Sequence, residues 1–69
     1  MKYTRKELGQ YIKRQRKYFK LSQNQVAEIT KVSRQCVGRI ERGESSYPYV
    51  INVILRALCI DPRNITIVE

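Results

Sequence analysis

The sequence predicts an all-α domain, a compact bundle of four to five short helices with a short strand at its C-terminal end. Three observations carry this. Two capping boxes, Thr4-Arg5-Lys6-Glu7 and Ser22-Gln23-Asn24-Gln25, each set a hydroxyl residue three places ahead of a Glu or Gln, so that each side chain satisfies the other's free backbone N–H. Apolar residues recur at steps of three and four, the spacing of one buried helical face. Sixty-nine residues make one domain, 1–69, which buries only about 60% of the surface its unfolded chain exposes and so has room for a single core.

The elements follow in order. Helix 1 is predicted from about Arg5 to Tyr18, with Leu8, Ile12, Gln15 and Phe19 as its buried stripe, Tyr11 and Tyr18 beside them, and basic residues on the opposite face. Ser22 opens a short second helix whose apolar side is Val26, Ala27 and Ile29; it ends near Thr30, and Lys31 forms the turn. Ser33 caps a third helix in which Cys36, Val37 and Ile40 share one face, and Gly43 stands where a helix commonly ends in a left-handed residue. Residues 44–49 read as a polar loop stiffened by Pro48. A mostly apolar fourth helix, about Val50 to Leu58, forms the centre of the core and exposes Asn52 and Arg56. Asp61-Pro62 combines a favoured cap with a favoured first helical residue, predicting one more turn, while Ile65-Thr66-Ile67-Val68 is β-branched and prefers an extended chain.

Fourteen Lys and Arg against six Asp and Glu, with no His, give a formal charge of +8 and point to a polyanionic partner. Eight of the basic residues, Lys13 and Arg16 among them, fall in the first twenty positions against the single acid Glu7. Nucleic acid and an anionic membrane are both compatible with charge of this kind. Helix 1 is basic and amphipathic, but its apolar stripe is needed for the core, which disfavours a membrane. The chain has no apolar run of the roughly 18 residues needed to span a bilayer and no apolar signal segment, so a cytoplasmic location is expected. Without His, a glycine loop for phosphate or paired acids, no catalytic residues, metal site or cofactor are expected, and the protein is not read as an enzyme. Cys36 and Cys59 read as small buried apolar residues.

The outward side of helix 3 is poorly designed as a helix. Arg34 in the first turn opposes the helix dipole, at about 0.3 to 1 kcal/mol, and Gly38 in the interior costs about 1 kcal/mol relative to Ala. A nearby anion or base would account for Arg34. Close approach of a polyanionic partner or close helix packing would each account for Gly38.

The stretch LSQNQVAEITKVSRQCVGRIERG, Leu21 to Gly43, resembles the helix-turn-helix of the phage repressor and Cro family, also called the xenobiotic-response-element family. The match rests on Leu21-Ser22-Gln23 at the start of helix 2, Ala27 at the helix crossing, Val32-Ser33 before the recognition helix and Ile40-Glu41-Arg42-Gly43 at its close. It extends to Ile12, Arg16, Pro48 and Leu58, and so covers residues from about 8 to 60. The family usually has Gly in the left-handed turn and a buried Leu before it. Lys31 and Thr30 occupy those places, so a slightly loosened turn, or a shifted helix with Ile29 buried instead, is expected.

The resemblance implies a lambda repressor-like fold, with the helix-turn-helix at about 22–42, and a sequence-specific regulator of transcription, a repressor, bound to double-stranded DNA. Arg34, Gln35, Gly38 and Arg39 would face base edges. Gln23, Ser33, Arg42, Ser46, Tyr49, Arg16 and Lys13 would contact phosphates, joined by Ser45 and Tyr47 in the loop; Tyr47 or Tyr49 could equally lid the core. Arg16 and Glu41 match a structural ion pair of the family. A homodimer on a palindromic operator is implied, with residues 61–69 or the helix 4 region as its interface, and no small-molecule effector. An antitoxin or a protein-interaction module of the same fold is the alternative.

Overall fold

Local signals place the starts of the first three helices and of the final single turn. The computed structural model describes residues 2–44 and 48–68. Strand β1 is Lys2–Tyr3, helix α1 Arg5–Tyr18, α2 Gln23–Thr30, α3 Arg34–Glu41 and α4 Pro48–Ala57; a single 3₁₀ turn, Pro62–Asn64, and strand β2, Thr66–Ile67, complete the order. Both capping boxes form. In the first, the Glu7 amide donates to Thr4 Oγ1 at 3.1 Å and the Thr4 amide to Glu7 Oε1 at 2.9 Å; in the second, Gln25 and Ser22 exchange the same bonds at 3.0 and 2.7 Å. Ser33 caps α3 by accepting from the Cys36 amide at 3.1 Å.

The helix ends share one device. Lys20, Lys31, Gly43 and Cys59 follow α1 to α4 in turn, all with φ between 58° and 79°. The residue after each returns a long backbone bond into the last turn: Leu21 to Arg16, Val32 to Ala27, Glu44 to Arg39 and Ile60 to Leu55. This is the bond of a Schellman motif, which absorbs carbonyls the helix leaves free. Only Gly43 adopts the left-handed conformation without strain, and a Cβ there would also lie 2.8 Å from Lys6 Cα. The turn at Lys31 closes normally, its φ of 63° and ψ of 30° borne by a lysine. Left-handed backbone costs a residue with a Cβ roughly 1 to 2 kcal/mol, partly offset by the greater freedom glycine would have when unfolded. Lys31→Gly is therefore expected to stabilise the domain by about 0.5 to 1 kcal/mol, raising Tm by about 2 to 8 °C, with no such gain from Lys31→Ala. Thermal melts of the three proteins check this.

The core is built from Leu8, Ile12, Val26, Ala27, Val37, Ile40, Ile51, Ile54, Leu55 and Leu58. Helix α3 packs on both α1 and α2, α2 also packs on α4, and the 3₁₀ turn covers the end of α4. Several expectations need correction. Phe19 is exposed, because α1 has already ended and Phe19 is its cap; its ring meets Tyr18 edge-on at 5.3 Å, and Leu21 packs on the core instead. Ile29 is 57% exposed while Thr30 is buried. The Thr30 hydroxyl donates to the Val26 carbonyl at 2.7 Å, so a polar residue occupies a core position at little cost. Cys36 is half-buried and Cys59 exposed, the latter because the helix end turns it outward in the left-handed conformation. Helix α4 begins at Pro48, two residues earlier than expected, since the fixed φ of proline suits a first helical position.

The tail does form a strand. β2 pairs in parallel with β1, Lys2 opposite Thr66 and Tyr3 opposite Ile67, and the Val68 amide donates to the Tyr3 carbonyl at 2.8 Å. Tyr3 stacks on Tyr11 of α1 at 5.4 Å, tying this bridge to the bundle. Among the described residues no helix is long and apolar enough to cross a membrane.

Candidate nucleic-acid interface

Helices α2 and α3, joined by the turn at Lys31, put one amphipathic helix across another. On α3 the buried set is Val37, Gly38, Ile40 and Glu41, so Arg34, Gln35 and Arg39 are exposed along the other side. Three long polar side chains with twelve donor hydrogens between them thus line one helical face. Ser33 is exposed just before them; its oxygen accepts from Cys36, which leaves its hydroxyl hydrogen for an outside acceptor.

Beneath this face runs a polar chain. Arg16 Nε donates to Glu41 Oε2 at 2.6 Å and its Nη2 to Oε1 at 3.2 Å, a two-pronged pair whose side chains are 10% and 3% exposed. Arg16 Nη1 also donates to the Leu21 carbonyl at 2.8 Å, fixing the turn between α1 and α2 against the end of α3. Gln23 Nε2 donates to Glu41 Oε1 at 3.1 Å, and Gln23 Oε1 meets Arg34 Nη1 at 3.5 Å. The pair ties α1 to the end of α3, and with Nε, Nη1 and Nη2 all engaged within the chain little of the Arg16 guanidinium is left to offer the phosphate expected there. Gln23 stands at the first position of α2, but its amide turns toward Glu41 and Arg34.

Gly38 is buried, and what lies closest to it is side chain from this chain itself. A Cβ built on it would lie 3.2 Å from Arg42 Nη1 and 3.8 Å from the Gln23 amide, so the side chains of Arg42 and Gln23 roof the space. Helical side chains lean toward the preceding turn, so Arg42 lies over the position four before it. Arg42 Nε donates to Glu44 Oε2 at 2.6 Å on the surface. That hydrogen bond, and next the charge of Arg42, hold the Glu44 carboxyl below the usual carboxylate range. Neither the roof over Gly38 nor the pair with Glu44 was foreseen, although the four-residue spacing of Arg34, Gly38 and Arg42 puts them in one row of the helix.

Of the remaining residues expected at phosphates, Lys13 is exposed on α1 and Tyr49, at 78% exposure, lies open in the first turn of α4, not as a lid on the core. Ser45, Ser46 and Tyr47 fall outside the described residues. Among the described residues no cluster of His, Cys, Asp or Glu could hold a metal ion.

Residues 7–65 match a family model described as a helix-turn-helix domain. Among solved structures, the chain is similar to the restriction-modification controller protein C.AhdI from Aeromonas hydrophila, with a TM-score of 0.77 and 32% identity, over 86% of this chain and 91% of that one. No curated protein matches the chain.

Proposed function

We propose, for a chain that belongs to the helix-turn-helix domain family and is a DNA-binding regulator of transcription, that it acts as a homodimeric repressor on a palindromic operator. The observation that carries this is the exposed row of Arg34, Gln35 and Arg39 on the second helix of the pair. In such a fold α3 lies in the major groove and α2 crosses the backbone. Arg34 and Arg39 suit the O6 and N7 of guanine, and Gln35 suits adenine, each pairing contributing about 1 to 3 kcal/mol of discrimination. Lys13, Ser33, Tyr49 and the loop residue Ser46 supply phosphate contacts, which position the helix without reading sequence.

The likeness to a restriction-modification controller supports a regulatory role. Dimerisation follows from size, because one domain makes too few contacts to select a genomic site, whereas two recognition helices about 34 Å apart read successive major grooves. The groove between α4 and β2, about 310 Å³ and lined by Ile51, Leu55, Ile65 and Ile67, is the apolar face offered for that contact. Selection of bound duplexes from random DNA tests the reading. The expected product is a half-site repeated with two-fold symmetry, bound with log affinity falling steeply and linearly in log salt. Equal binding of all sequences, or binding indifferent to salt, removes the proposal.

A further inference from the structure

We infer that Arg42 reads a base, with Glu44 as the residue that positions its guanidinium, so that the base-reading row of α3 runs one turn beyond Arg39. This rests on the DNA-binding reading above and departs from the phosphate role that sequence position alone assigns to Arg42.

Three observations converge. Arg42 caps α3 and its side chain leans back along the helix, where Gly38 has no Cβ to stop it; Nη1 comes within 3.2 Å of where that Cβ would stand. The guanidinium therefore lies on the row Arg34-Gly38-Arg42, on the face that carries Arg34, instead of projecting off the helix end. Its orientation is then set from one side. Glu44 takes Nε at 2.6 Å, and this leaves the edge formed by Nη1 and Nη2 directed away from the carboxylate. Two parallel N–H donors on a planar fork are what O6 and N7 of guanine require. A phosphate contact needs none of this orientation, since a point charge on a flexible stem serves it equally well.

Glu44 also explains itself in this way. A carboxylate beside a DNA-binding face repels phosphates, so its presence lowers affinity for every sequence alike unless it contributes selectivity. Its carboxyl is held below the usual range by Arg42, so it stays ionised and bonded at neutral pH.

The experiment measures wild type, Arg42→Lys, Arg42→Ala and Glu44→Gln on the selected duplex and on duplexes with each base pair changed one at a time. Arg42→Lys keeps the charge but loses the fork. It is expected to flatten discrimination by about 5- to 150-fold at one base pair, leaving affinity for unrelated duplex near wild type. Arg42→Ala flattens the same base pair, and Glu44→Gln flattens it while binding unrelated duplex more tightly. Circular dichroism should be unchanged in all three, because both side chains are more than half exposed. If the pattern of Arg42→Lys superimposes on wild type, or Arg42→Ala weakens all duplexes equally and lowers the salt slope by about 1, Arg42 is a phosphate contact and the inference fails. Wild type binding every duplex equally would instead overturn the regulator reading on which it rests.

Discussion

Gly9→Ala is expected to unfold the domain or to lower its Tm by about 12 °C or more. A Cβ on Gly9 would lie 2.4 Å from the Ile40 carbonyl oxygen and 2.6 Å from that of Glu41, both on the backbone of α3. Neither atom can swing aside as a side-chain end can. The helices must separate, and that loosens Leu8 and Ile12 against Ile40 and strains the buried pair at Glu41. Overpacking of a core costs about 1 to 3 kcal/mol and occasionally more; a collision with two rigid carbonyls belongs at the upper end, in a domain whose whole stability is on the order of 3 to 10 kcal/mol. At about 4 to 8 °C per kcal/mol for a chain of this size, about 3 kcal/mol gives the stated shift. Gly38→Ala is the control. The added Cβ presses closely only on the side-chain end of Arg42, at 3.2 Å, and meets the Gln23 amide at ordinary contact distance, so a melt should show no loss of stability. Equal melting of Gly9→Ala and wild type would mean that α1 and α3 are not this close.

Arg16→Ala is expected to destabilise by about 3 to 5 kcal/mol, the cost of leaving one partner of a buried ion pair alone. Glu41, 3% exposed, would keep the Gln23 amide as its remaining partner among the described residues, and the Leu21 carbonyl would lose the Arg16 donor. DNA binding falls with it, because α3 and the start of α2 are both held by this pair. Arg34→Ala is the contrasting case: the side chain is exposed and meets the Gln23 oxygen only at 3.5 Å, so the melt stays at wild type while binding to the selected site weakens. Calorimetry together with binding isotherms separates the two. Equal loss of stability in both variants would overturn this division between a structural and a reading arginine.

Glycine shows where sequence reasoning reaches and where it stops. Gly43 follows a helical pattern at the place where a left-handed residue is wanted, and its φ of 79° is a local property that the chain itself announces. Gly9 stands inside a well-formed amphipathic helix and resembles a small weakness in it. Its necessity comes from backbone thirty residues further on. Gly38 drew attention because it is costly where it stands, but the reason for it, a place for the guanidinium of Arg42, depends on how one side chain lies over another. Phe19 and Cys59 were misread for a related cause: helical spacing gives the face of a residue only while the helix lasts, and both lie past the last turn.

By itself the sequence determined the four helices, through capping residues and apolar spacing that act within about four positions. It also determined the basic surface, and the register of the helix-turn-helix through the residues from Leu21 to Gly43. Only the tertiary structure decided that the tail pairs with Lys2–Tyr3, that Gln23 turns to Glu41 and that Arg42 lies over Gly38. Each of these joins groups that meet through space, where which donor finds which acceptor is settled by packing and by the direction each side chain takes from its own backbone.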